Sequence, residues 1–175
     1  MAIHILVRIV TLLIICLSIA GEAKDLEIVI GPGDQLAIDV YNEKDLFVRA
    51  TLPKSGVLRI PLLGDIVVAG KTPAQLAKEL ELAYLDGYLV SPSVSVIIES
   101  FRPFYISGAV KSSGAYKFEL DLTVDQAIAL AGGLKDRASK SDWYIIREPD
   151  KKRIKVSKDT PVMPGDVIDI EESLF

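Results

Sequence analysis

Pro32-Gly33-Asp34-Gln35-Leu36-Ala37-Ile38 and Pro164-Gly165-Asp166-Val167-Ile168-Asp169-Ile170 are the same device used twice, once at each end of the chain. Proline fixes φ near -65°, glycine accepts a positive φ at the next turn position, and aspartate bonds nearby N–H groups before apolar alternation begins. Each copy therefore reads as a tight turn feeding a strand. In this reading the two aspartates, Asp34 and Asp166, are local caps, and loss of Asp34 costs about 1 kcal/mol. Two copies point to two modules that begin alike.

Working outward from these turns, two helices are marked by their caps. Thr72-Pro73-Ala74-Gln75 sets Thr as N-cap, Pro at the first helical position and Gln where a capping box needs it. Leu76, Leu80 and Tyr84 follow at helical spacing, with Lys78 and Glu81 on the opposite face. Thr123-Val124-Asp125-Gln126 repeats the box, with Val124, Ala127, Ile128 and Ala131 inward and Gly132-Gly133 closing the helix. The rest reads as short strands: Ile28 to Ile30, Leu36 to Tyr41, Val57 to Pro61, Val94 to Glu99, Phe104 to Val110 and Trp143 to Arg147, the last in a hairpin turning at Glu148-Pro149-Asp150. The expected fold is α+β, two small mostly-β domains of one helix each, spanning 24–101 and 102–175 and joined near Ser100 to Pro103.

The N-terminus reads as a cleaved signal peptide over 1–23. Arg8 precedes an apolar run of 12 residues, Ile9 to Ala20, too short to span a bilayer, and small residues follow at Ser18, Ala20, Gly21 and Ala23. Cleavage after Ala20 and after Ala23 fit equally. Two alternatives stand beside it, an uncleaved anchor and lipid attachment at Cys16. Bulky Ile15 argues against the lipid, because an attachment site takes a small residue just before the cysteine.

Composition then limits chemistry. The chain's one Cys and one His, Cys16 and His4, both lie in the leader, so the mature protein has no thiol or imidazole. That excludes Ser-His-Asp and Cys-His sites, the usual zinc sites, haem and iron-sulfur clusters, and disulfides as a source of stability. No cofactor is expected. Gly31-Pro32-Gly33 is no dinucleotide loop, because a third Gly is missing and a strand follows. A net charge of -4 makes nucleic acid an unsuitable partner. A carboxylate pair acting on a glycosidic bond remains open to a chain so rich in acids. One basic cluster, Arg147, Lys151, Lys152, Arg153, Lys155 and Lys158, surrounds the hairpin turn. It reads as a solvated edge whose lysines discourage strand pairing, or as a contact for a polyanion or acidic partner.

Taken in order, these segments resemble the bacterial polysaccharide export proteins of the outer-membrane exporter group. Ile28-Val29-Ile30-Gly31-Pro32-Gly33-Asp34-Gln35-Leu36 is similar to the opening of the export domain. Gly56 to Gly64, Val68-Ala69-Gly70-Lys71-Thr72 and Pro92-Ser93-Val94-Ser95-Val96 continue it. Phe104 to Val110, Gly114-Ala115-Tyr116, Thr123-Val124 and Ala131-Gly132-Gly133 resemble the soluble-ligand-binding β-grasp (SLBB) domain that follows it. Lys54, Ala109 and Ser113 depart from the family's usual acid, Glu and Pro, and all the turn glycines are kept.

The resemblance implies a non-enzymatic periplasmic component, associated with the outer membrane, that forms a homo-oligomeric ring and passes a polysaccharide without bond chemistry. Its implied partners are an inner-membrane polysaccharide co-polymerase and a separate outer-membrane β-barrel, since one β-grasp unit precedes Phe175 and no pore helix follows it. Gly31, Pro32, Gly33, Asp34, Gly64, Gly70, Gly108, Gly114, Gly132, Gly133, Pro164, Gly165 and Asp166 are the structural turn positions, and no residue is expected to be catalytic or to bind metal. A monomeric saccharide-binding module and a carboxylate-pair hydrolase or lyase are the rival readings.

Overall fold

A computed structural model of the chain describes residues 27–148 and 150–173. The leader, with Cys16, and Pro149 of the hairpin turn lie outside the described residues.

Two β-rich domains with few helices make up the fold, each around its own core. In the first, strands β1 (Gln35–Val40), β2 (Val48–Thr51) and β5 (Val94–Ser100) form an antiparallel sheet in the order β2-β1-β5. Strands β3 (Val57–Ile60) and β4 (Gly64–Val67) form a hairpin beside it. Helix α1 (Pro73–Leu85) closes the core. It begins where its capping box predicts, with Thr72 Oγ1 accepting from the Gln75 N–H and the Gln75 side chain accepting from the Thr72 N–H. Leu76, Leu80 and Tyr84 are fully buried, and the Tyr84 hydroxyl donates to the Pro61 carbonyl at 3.2 Å. Lys78 is exposed as expected, whereas Glu81 has a structural bond: its carboxylate accepts the Val94 N–H at 3.0 Å and ties the helix to β5.

The second domain is a mixed sheet of five strands in the order β7-β6-β10-β8-β9. These are β6 (Phe104–Gly108), β7 (Gly114–Tyr116), β8 (Ala138–Arg147), β9 (Lys152–Lys155) and β10 (Val167–Glu172). The first and last strands, β6 and β10, run parallel at the centre, and the other pairs are antiparallel. Strand alternation sends Phe104, Ile106, Trp143, Ile145, Ile168 and Ile170 to one face. Helix α2 (Val124–Leu130), opened by the second capping box, covers that face with Val124, Ala127 and Ile128.

Three strand expectations need correction. Ile28 to Ile30 is not a strand: Ile30 bonds only to the Gly70-Lys71 turn, and Ile28 packs on the second core instead of the first. The strand from Phe104 stops at Gly108, whose φ of +86° turns the chain, so Ala109 and Val110 lie beyond it. The Trp143 strand begins five residues earlier, at Ala138, because the polar Ser139-Lys140-Ser141 stretch pairs as well. Short strands β2, β4 and β7 and a 3-10 turn at Lys44–Leu46 carry too little alternation to be read from sequence.

Gly108 and Gly64 both hold positive φ, but their surroundings differ. A Cβ on Gly108 would collide with the Ile170 carbonyl in the central parallel pair, whereas one on Gly64 would meet open space. Gly108→Ala is expected to cost about 3 kcal/mol, from backbone strain and overpacking together. Gly64→Ala should cost about 1 kcal/mol, from strain alone. Denaturant unfolding of the two variants checks the ordering.

Candidate functional site

The two Pro-Gly-Asp turns lie on opposite sides of one side chain, Arg102. Its guanidinium donates from Nη1 to Asp34 Oδ2 at 2.7 Å, and its backbone N–H donates to Asp34 Oδ1 at 2.6 Å. Asp34 also accepts the Gly31 N–H at 2.8 Å, so its buried carboxylate has three donors. The arginine passes between glycines: a Cβ on Gly31 would lie 2.5 Å from Cζ, and one on Gly165 would lie 2.8 Å from Nε. Gly33, at φ +98°, packs on the Arg102 Cβ. Glycine is needed at Gly31 for room, and at Gly33 and Gly165, both at positive φ, for backbone freedom as well.

The second copy makes the same bond with a different partner. Asp166 is buried, accepts the Met163 N–H at 2.8 Å, and forms a two-pronged pair with Arg147 at the end of β8. Nε reaches Oδ1 at 2.7 Å and Nη2 reaches Oδ2 at 2.6 Å. That bond holds the Arg147 pKa above its ordinary value. Gly165 N–H donates to the Pro103 carbonyl and Tyr105 N–H to the Asp166 carbonyl, which brings the second turn against the joint. Phe101 meets Phe118 edge to face at 5.2 Å, so the segment expected as a linker is packed into the second core.

Between the turns opens a cleft of about 660 Å³. Pro32, Pro164, Met163 and the half-exposed ring of Tyr105 give it apolar surface, and Lys54, Arg102, Arg147 and Glu148 give it charge. Seven of the expected turn residues, Gly31, Pro32, Gly33, Asp34, Pro164, Gly165 and Asp166, thus gather around Arg102. Gly64, Gly70, Gly108, Gly132 and Gly133 serve turns elsewhere, each at positive φ, whereas Gly114 opens strand β7 and pairs with Ile106. The role of Arg102 was missed, although two buried aspartates with one arginine between their modules is the available signal.

The basic cluster is largely neutralised by its own fold. Arg153 bonds Asp169 and Glu171 and lies 3.7 Å over the Tyr144 ring, Lys155 bonds Asp142 at 2.8 Å, and Lys152 lies 3.5 Å from Asp150. Only Arg147 reaches the cleft; Lys151 is an exposed turn residue at φ +51°. Among the described residues no three His, Cys, Asp or Glu side chains form a group that could hold a metal ion.

With this geometry in place, comparison with known proteins gives the class. Residues 22–99 match the polysaccharide biosynthesis/export protein family and residues 103–164 match the SLBB domain. The chain thus has an export domain followed by an SLBB domain, an architecture that matches the polysaccharide export protein family. The exopolysaccharide production protein ExoF of Rhizobium meliloti (strain 1021) is 39% identical over 87 residues, which are 49% of this chain and 21% of that protein. The match therefore spans about a fifth of that relative's length. Arg102 falls in the short gap between the two family matches.

The expectation that Asp34 is only a local cap is corrected: its loss strands a partly buried arginine. Asp34→Ala should lower unfolding free energy by about 3 kcal/mol, the scale for breaking a buried pair from one side. Chemical denaturation measures it; a loss near 1 kcal/mol would restore the local-cap reading. Across the β8–β9 pair, the Lys155 ammonium and then the Ser139 hydroxyl hold the Asp142 carboxyl below its ordinary range. Its stabilising contribution is present above about pH 4 and fades as pH falls through the lowered pKa. Lys155→Gln should raise the Asp142 midpoint in a carboxyl NMR titration.

Proposed function

We propose that this chain is a non-enzymatic component of a polysaccharide export apparatus, delivered to the periplasm by a cleaved leader and associated there with the outer membrane. The ordered pair of family matches carries this reading. In it, copies of the chain form a ring, the second domain has β-grasp topology, and the polymer passes without bond chemistry. The central parallel pair β6–β10, with helix α2 across one face, supports the β-grasp assignment. An inner-membrane co-polymerase and an outer-membrane β-barrel are its partners. Among the described residues no helix is long and apolar enough to cross a membrane.

The geometry suits docking better than hydrolysis. A carboxylate-pair glycosidase needs two acids flanking an open site, one of them kept protonated in an environment that raises its pKa. Here both buried aspartates are occupied by guanidinium and backbone donors.

Deleting the gene should leave polymer made but not released to the cell surface, measured as extracellular against cell-retained polysaccharide. Native mass spectrometry of the protein purified from periplasm should give multiples of the monomer mass. Normal release in the deletion strain would overturn the export role, and a monomer at every concentration would overturn the ring.

A further inference from the structure

We propose that the cleft between the two Pro-Gly-Asp turns is a saccharide site that takes a sugar ring bearing a carboxylate. The inference rests on the export reading and deepens it by naming a place and a ligand chemistry.

Three observations carry it. First, two guanidinium groups are held in place by buried carboxylates, yet keep free donors. Nη1 of Arg147 and both Nε and Nη2 of Arg102 have no hydrogen-bond partner among the described residues. An arginine fixed on one edge by a buried acid loses little further freedom when its other edge meets an anion. Second, the charge balance at the cleft surface differs from the formal count. Asp34 and Asp166 are 0% and 1% exposed and already bonded, whereas Lys54 is exposed with no ion-pair partner among the described residues. Three cations line the cleft, and Glu148 is its one exposed carboxylate. An incoming carboxylate meets donors, and the sugar hydroxyls find an acceptor in Glu148. Third, the Tyr105 ring, 44% exposed, stands on the opposite face of β6 from buried Phe104 and Ile106. With Pro32 and Pro164 it supplies flat apolar surface for the C–H face of a pyranose. A volume of about 660 Å³ lies within the usual range for small-ligand sites, and a junction between domains is where such sites concentrate.

The test uses the full protein purified from periplasm, with tetragalacturonate as the acidic probe and maltotetraose as the uncharged one. Calorimetry should detect tetragalacturonate binding that weakens with added salt, and at least ten-fold weaker maltotetraose binding. Lys54→Glu and Tyr105→Ala change exposed side chains outside both buried pairs, so melting midpoints should hold while each weakens the acidic probe at least five-fold. Amide shifts on titration should centre on Val29, Gly33, Tyr105 and Gly165. Equal binding of the two probes, no binding of either, or binding that survives both substitutions overturns the proposal. Polymer release is scored separately in cells: if deletion abolishes release while both variants bind and export as the parent does, the cleft is overturned and the export role stands.

Discussion

A buried carboxylate facing an arginine threaded between two glycines is the constraint on which the rest of this molecule is arranged. Asp34 is fully buried, and such a charge is tolerated only when it is paired and its remaining lone pairs are bonded. Arg102 meets both conditions, through its side chain and its own backbone N–H. Because that arginine belongs to the segment joining the domains, the charge requirement of the first domain fixes where the second one starts. The neighbouring glycines follow from the same need, since any side chain at Gly31 or Gly165 would occupy the space of the guanidinium.

This makes the joint a packed element. Phe101 lies against Phe118, Ile28 crosses to the second core, and the Pro103 carbonyl accepts from Gly165. Apolar burial, an ion pair and backbone bonds therefore act together across a stretch of about four residues. Relative domain motion is the ordinary expectation where an inter-domain contact is small and polar. Here the buried charge opposes it, because opening the joint would expose or strand Asp34.

The parts of the fold legible in sequence were those governed by local chemistry. Both capping boxes, the buried stripe Leu76-Leu80-Tyr84 and the two Pro-Gly-Asp turns are written in adjacent residues, and the structure forms each of them. The misreadings share a different cause. Ile28 to Ile30 has the composition of a strand, but strand formation needs a partner edge, and the available bonds come from the Gly70-Lys71 turn. Glu81 reads as a solvated helix face until β5 is placed beside it. The same limit applied to the site. The echo of two turns was visible, but its meaning depended on a contact between Asp34 and a residue 68 positions away.

The basic hairpin and the cleft show how little a run of like charges says without its partners. Six cations from Arg147 to Lys158 suggest a polyanion surface, yet Arg153, Lys155 and Lys152 face acids on other strands of the sheet or within the turn itself. Their field is spent at short range, and exposed pairs of this kind add little to stability. Arg147 differs because its acid is buried beneath it, so the carboxylate orients the guanidinium while leaving one edge outward. Arg102 is held in the same way by the first copy of the turn. The repeated motif therefore does the same physical work twice: each buried aspartate fixes one arginine, and the two arginines line one cleft. Of the two, the Asp34–Arg102 pair also ties the first domain to the joint, so part of the cleft's polarity and the rigidity of the joint have a common origin.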